Sequence, residues 1–172
     1  LVEHVQRPRT QSATAFTSWN PRWLLSHSAA QASDKRQAIF GLLLRGHIVA
    51  LQETHWHASA AVRWENSFPG NKVVTAPAIQ SPSGSWLGGV ALIIPVGASL
   101  ISHAILEPAY GLSGVVQTGA LPPDRFISMY LPPHDRLRTL RPIAGRNPPL
   151  DGTTHFGRAL NIHLDLPRHQ ES

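Results

Sequence analysis

Polar residues standing at the ends of apolar runs carry the strongest chemical signal in this sequence. Glu53 follows Ile48-Val49-Ala50-Leu51-Gln52, so a carboxylate stands where a near-continuous apolar run gives out. A carboxylate at the mouth of a buried strand must be paired, hydrogen-bonded or metal-bound, because a lone buried charge is costly. The plainer alternative is a Glu already exposed in a loop. Asn20 closes the run Thr14-Ala15-Phe16-Thr17-Ser18-Trp19 in the same way, where a turn residue ahead of Pro21 is the plainer reading. If the two strands are parallel neighbours, their C-terminal ends place Asn20 and Glu53 side by side. Such a pair suits an oxygen-loving divalent ion such as magnesium. His55 and His57 form His-x-His just beyond Glu53, and on a continuing strand all three would share one face and could hold zinc. With 10 His in the chain such pairs arise by chance, and Trp56 between them reads as a loop anchor.

Other chemistries are excluded more firmly. The chain has 172 residues and no Cys, which removes disulfide frameworks, thiolate metal sites and a thiol nucleophile. Neither Gly-x-Gly-x-x-Gly, nor a phosphate-loop Gly-Lys-Ser/Thr, nor the nucleophile elbow Gly-x-Ser-x-Gly occurs. Gly84-Ser85-Trp86-Leu87-Gly88-Gly89 is glycine-rich but fits a hairpin turn better than a phosphate cradle. His103, His134, His155, His163 and His169 have no acidic partner at a diagnostic spacing. The net charge is +5, and all but Lys35 and Lys72 of the 15 basic residues are Arg, whose planar fork suits phosphate oxygens. The scatter of these Arg along the chain fits a coding bias equally well.

The elements that must position Asn20 and Glu53 follow from pattern. Residues 14–20 read as a short strand that Pro21 stops. Ser33 or Asp34 is the expected cap of a helix whose apolar face is Ile39, Phe40, Leu43 and Leu44 and which Gly46 ends. Ile48 to Thr54 is a buried strand. A short helix is expected over Ala58 to Trp64, then strands over Lys72 to Ile79, Gly88 to Pro95 and Arg125 to Leu131, with a weaker pair between Leu100 and Gln117. With 13 Gly and 15 Pro a helical bundle is disfavoured. Residues 1–12 read as a polar leader. The Pro- and Arg-rich residues 134–172 read as a poorly ordered tail with one marginal strand near Leu160 to Leu164. The longest apolar stretch, Gly89 to Ile101, is too short to span a membrane and contains Pro95, and no secretory signal opens the chain. An intracellular location, the nucleus included, is the expectation. The chain opens on Leu1, as expected of a fragment of a longer protein.

Together these segments resemble the endonuclease/exonuclease/phosphatase superfamily, and in particular its apurinic endonuclease and non-LTR retrotransposon branches. Ser18-Trp19-Asn20 is similar to the first-strand motif whose Asn organises the active site. Leu51-Gln52-Glu53-Thr54 is similar to the motif whose Glu holds the metal. Gly88-Gly89-Val90-Ala91-Leu92-Ile93-Ile94 resembles the strand that follows, and Phe126-Ile127-Ser128-Met129-Tyr130-Leu131-Pro132-Pro133 the strand carrying a Tyr near the scissile phosphate. The resemblance covers residues 14–133, so 13–133 reads as the N-terminal part of such a domain and 134–172 as its degenerate remainder. It implies an α+β fold, a two-layer β-sandwich flanked by helices in four α/β/β/α layers, with the C-terminal part incomplete. It also implies magnesium- or manganese-dependent phosphodiester hydrolysis on DNA, with Asn20 and Glu53 at the metal and Tyr130 and Asn161 on the phosphate side.

The departures bear on activity. The apurinic branch has an acidic residue two positions after the first Asn, where this chain has Arg22. In Phe156-Gly157-Arg158-Ala159-Leu160-Asn161-Ile162, Asn161 falls on the family's Asn, but Ala159 occupies the place of the Asp that activates or orients water. Ala can neither accept a proton nor bind a metal. The family's closing Ser-Asp-His segment does not occur before Ser172. The expectation is a truncated phosphodiesterase-type domain of low or no activity. The alternatives are a non-catalytic remnant that binds nucleic acid weakly through its Arg excess, and a His-x-His zinc hydrolase.

Overall fold

A computed structural model describes residues 14–21, 29–130 and 160–162, with 29–31 and 160–162 described by backbone alone. The leader, Arg22, Ala159 and all of the tail except the strand at 160–162 lie outside these residues.

The opening of the chain is strand, helix, strand: β1 (Phe16–Trp19), α1 (Ala29–Leu44) and β2 (Ile48–Leu51). β1 and β2 pair in parallel, Phe16 opposite Ile48 and Trp19 opposite Leu51. Parallel neighbours cannot be joined by a tight turn, and α1 supplies the crossover. The helix starts before the Ser33 or Asp34 expected to cap it, because Ala29 and Ala30 are strong helix formers that extend it N-terminally. Its C-terminus follows the expectation. Gly46 takes φ +79°, its N–H bonds the Leu43 carbonyl and the His47 N–H bonds that of Leu42. This paired closure satisfies carbonyls the helix leaves open. Of the expected apolar face, Ile39 and Leu43 are buried, whereas Leu44 is left 86% exposed.

Helix α2 (Ala58–Asn66) follows, then β3 (Lys72–Ala76), a hairpin of β4 (Ile79–Gln80) and β5 (Trp86–Leu87), and β6 (Val90–Ile94). The strand expected to reach Ile79 stops at Ala76, since Pro77 has no N–H to give the ladder. β6 runs antiparallel between β2 and β3, completing a sheet of order β1-β2-β6-β3. The weaker expected pair is a long hairpin, β7 (Ala98–Glu107) with β8 (Gly111–Thr118). β9 (Asp124–Met129) pairs with β8, and β10 (Leu160–Ile162) joins β9 in parallel, giving the order β10-β9-β8-β7.

Alternation along the strands of the first sheet divides its side chains into two clusters. Val49, Leu51, Ala91 and Ile93 face α1 and α2, meeting Ile39, Leu43, Trp56, Trp64 and Phe68. Trp56 and Trp64 stack with centroids 4.8 Å apart, a contact worth about 0.5–1.5 kcal/mol beyond its buried area. Ile48, Ala50, Val90, Leu92 and Ile94 turn the other way and pack with Leu112, Val116 and Phe126 of the second sheet. The class is α+β, and both described helices lie on the same side of the first sheet. No described helix is long and apolar enough to cross a membrane.

Candidate functional site

The parallel register of β1 and β2 brings their C-terminal ends level, and Asn20 and Glu53 meet there. Asn20 Nδ2 donates to Glu53 Oε2 at 2.6 Å, across 33 residues of sequence. An ionised carboxylate only accepts, so the amide must present its nitrogen, and this hydrogen bond fixes the direction of the carboxylate. Glu53 is half-buried, which replaces the exposed-loop alternative with a held side chain. A second bridge crosses the same strand pair beside it: Gln52 Nε2 donates to Ser18 Oγ at 2.7 Å.

Backbone conformation sets how the carboxylate is presented. β2 ends at Leu51, and Glu53 and His55 both have positive φ, 49° and 54°. This region disfavours side-chain-bearing residues, and such strain persists only where the surroundings enforce it. Here the neighbouring start of β6 enforces it. Thr54 N–H bonds the Gly89 carbonyl at 3.0 Å and His55 N–H bonds the Gly88 carbonyl at 3.0 Å. Gly89, at φ +87°, is obligatory because a Cβ there would stand 2.5 Å from Thr54 Oγ1.

The same glycine pair ties in the second sheet. Gly89 N–H bonds the Ala109 carbonyl at 2.7 Å, in the turn that carries Tyr110 into β8. Tyr130 N–H in turn bonds the Tyr110 carbonyl, and the two rings lie 6.3 Å apart. Ser128 Oγ donates to the Leu51 carbonyl at 3.1 Å, a buried link from β9 to β2 across 77 residues. Asn161 pairs in register with Ser128, and its backbone position alone is described. Asn20, Glu53 and Tyr130 therefore stand on elements stitched together at one end of the two sheets, with the strand of Asn161 beside β9.

The His-x-His expectation is corrected. No strand continues through 53–57, so Glu53, His55 and His57 do not share a strand face. The His55 ring bonds the Trp86 carbonyl through Nδ1 at 2.7 Å; a carbonyl only accepts, so Nδ1 carries the proton. His57 is the N-cap of α2, its Nδ1 accepting from Ala60 N–H at 3.3 Å, and its ring lies 4.9 Å from that of Trp86. Trp56, expected as a loop anchor, is fully buried.

Among the described residues no group of three or more His, Cys, Asp or Glu is placed to hold a metal. That donor set is poor for zinc, which takes several protein ligands. A single carboxylate such as Glu53 is a donor that magnesium or manganese would accept. Magnesium keeps much of its water and binds through one or two carboxylates completed by substrate phosphate. Glu53 would hold such an ion, with Asn20 orienting the carboxylate.

Ser18, Gln52, Thr54 and Ser128 carry the geometry of this corner but were given no role by their sequence context. Ser18 had one available signal: it alternates with Phe16 on the side of β1 that faces the second sheet. No family model matches the chain, and no curated protein is significantly similar to it.

Proposed function

We propose that this chain is a degenerate member of the endonuclease/exonuclease/phosphatase superfamily, a divalent-metal-dependent phosphodiester hydrolase domain of low activity. The observation that carries this reading is the 2.6 Å hydrogen bond from Asn20 to Glu53 at the ends of parallel β1 and β2. In this reading the complete fold is a four-layer α/β/β/α sandwich, with α1 and α2 as one outer layer. The substrate is nucleic acid, attracted by a net charge of +5, and the protein works inside the cell, the nucleus included.

Magnesium or manganese, when bound, polarises a phosphate and stabilises the oxygen that leaves. The chain's own part is positional. Glu53 holds the ion, and Asn20 keeps the carboxylate from rotating away. The resemblance gives Tyr130, directly after β9, and Asn161, on the neighbouring β10, the phosphate-side roles. Ala159 stands in sequence where an acid should accept the water proton, and lack of a general base accounts for low activity.

The test is nicking of supercoiled plasmid in magnesium by wild type, Glu53→Gln and Ala159→Asp. The expected result is slow wild-type nicking, loss in Glu53→Gln, and a gain of about 10²-fold or more in Ala159→Asp, the usual worth of a general base. Nicking that persists undiminished in Glu53→Gln, or no gain on restoring the acid, overturns the reading. Salt-sensitive DNA binding without any nicking in the three proteins would point instead to a non-catalytic remnant.

A further inference from the structure

The Gln52 side chain is fully buried, and one of its two polar atoms has no partner. Nε2 is satisfied by Ser18 Oγ, whereas Oε1 meets no donor among the described residues. A buried acceptor without a donor is costly, and natural structures rarely retain one without a use. The atom belongs to the residue immediately before Glu53, beside the Asn20–Glu53 bridge.

Strand geometry shows why the two side chains act together. On an extended strand Gln52 and Glu53 would point to opposite faces of the sheet. The positive φ of Glu53 breaks that alternation, and both side chains cross to β1, Gln52 to Ser18 and Glu53 to Asn20. Ser18 and Asn20 are two residues apart; Ser18 alternates with Phe16 on the side of β1 that packs on the second sheet, and Asn20 directly follows the strand's last residue, Trp19. The turn thus sets the consecutive side chains of Gln52 and Glu53 on partners only two residues apart, in β1 and at its end, with the amide oxygen of Gln52 left over.

We infer that Gln52 is a positioning residue of the cation site, its Oε1 accepting a hydrogen bond from the hydration shell of an ion held by Glu53. This rests on the reading of Glu53 as the metal-holding residue. It assigns the orphaned oxygen a donor that arrives with the ion, since magnesium retains water that must be oriented. Partners of this kind commonly change metal affinity by about 10–100-fold when removed.

The test is calorimetric titration of magnesium chloride into wild type, Glu53→Gln and Gln52→Met, with circular dichroism of each apo protein. Gln52→Met keeps the length and removes both polar atoms. A folded Gln52→Met protein should bind magnesium at least tenfold more weakly than wild type. Unchanged affinity in that variant, with binding lost in Glu53→Gln, overturns this inference and leaves the Glu53 reading standing. No binding in wild type, or equal binding in Glu53→Gln, overturns both. If Gln52→Met does not fold, Gln52→Glu decides: a carboxylate there should tighten magnesium binding about tenfold, and unchanged or weaker binding contradicts the inference.

Discussion

The two ends of the first sheet solve the same backbone problem in different ways. At the end where α1 meets β2 and α2 leads to β3, the chain reverses through Gly46 and Gly70, with φ +79° and +78°. Glycine carries a positive φ without a steric penalty, so those turns are relaxed. Around them lies an apolar groove of about 360 Å³ lined by Phe40, Leu43, Leu44, Pro69, Pro95 and Val96. At the other end Glu53 and His55 carry positive φ themselves, as does Ala109 in the β7–β8 turn of the second sheet that bonds to Gly89, and Gly88 and Gly89 are the neighbours that allow it. One end needs only to turn. The other keeps a carboxylate and an imidazole on left-handed backbone, a conformation that persists only where its surroundings enforce it.

Breaking the enforcing contact should have the largest effect. Gly89→Ala adds a Cβ at 2.5 Å from Thr54 Oγ1 on backbone already at φ +87°, so overpacking and left-handed strain add. Denaturant unfolding should show a loss of roughly 2–5 kcal/mol. Gly46→Ala at the opposite end meets nothing within 4 Å and suffers from its φ alone. The loss there should be about 1 kcal/mol. A Gly46→Ala penalty equal to that of Gly89→Ala would remove the distinction between the ends. The smallest change should be of opposite sign. Ala109→Gly relieves a φ of 62° and gives back some stability through backbone entropy and a lost buried methyl group. The net gain should be about 0.5 kcal/mol in the same unfolding measurement, and a clear loss would show that Ala109 is not strained.

Much of this division was legible before any coordinates. The apolar runs at 14–20 and 48–54 each end in a polar residue, which marks Asn20 and Glu53 as neighbours on condition that the two strands pair in parallel, and the parallel register of β1 and β2 meets that condition. The conditional inference needed only periodicity and the ends of runs. The α1 N-terminus was misplaced because the sequence offers more than one cap-type residue: Ser33 and Asp34 stand inside the helix, which begins at Ala29, directly after Ser28. The kink at Glu53 was hidden for a different reason. A Glu or His with positive φ has no compositional mark, and the agents are glycines more than thirty residues away. Ser128 and Leu51 likewise meet through a fold-level approach of two sheets that neither local sequence contains. The carboxylate's position was therefore readable, whereas its direction depended on contacts that only folding creates.

On the proposed reading, Glu53 and its Asn20 bridge form a cation site that exists only in the folded chain. Thermal unfolding by circular dichroism, with and without magnesium, for wild type and Glu53→Gln tests it most directly. A ligand that binds only the folded state at a hundredfold excess over its Kd adds about 2.7 kcal/mol. At about 2–4 °C per kcal/mol for a chain of this size, the wild-type Tm should rise by roughly 5–10 °C, and the rise should vanish in Glu53→Gln. An equal rise in both proteins, or none in wild type, would contradict a cation site at Glu53.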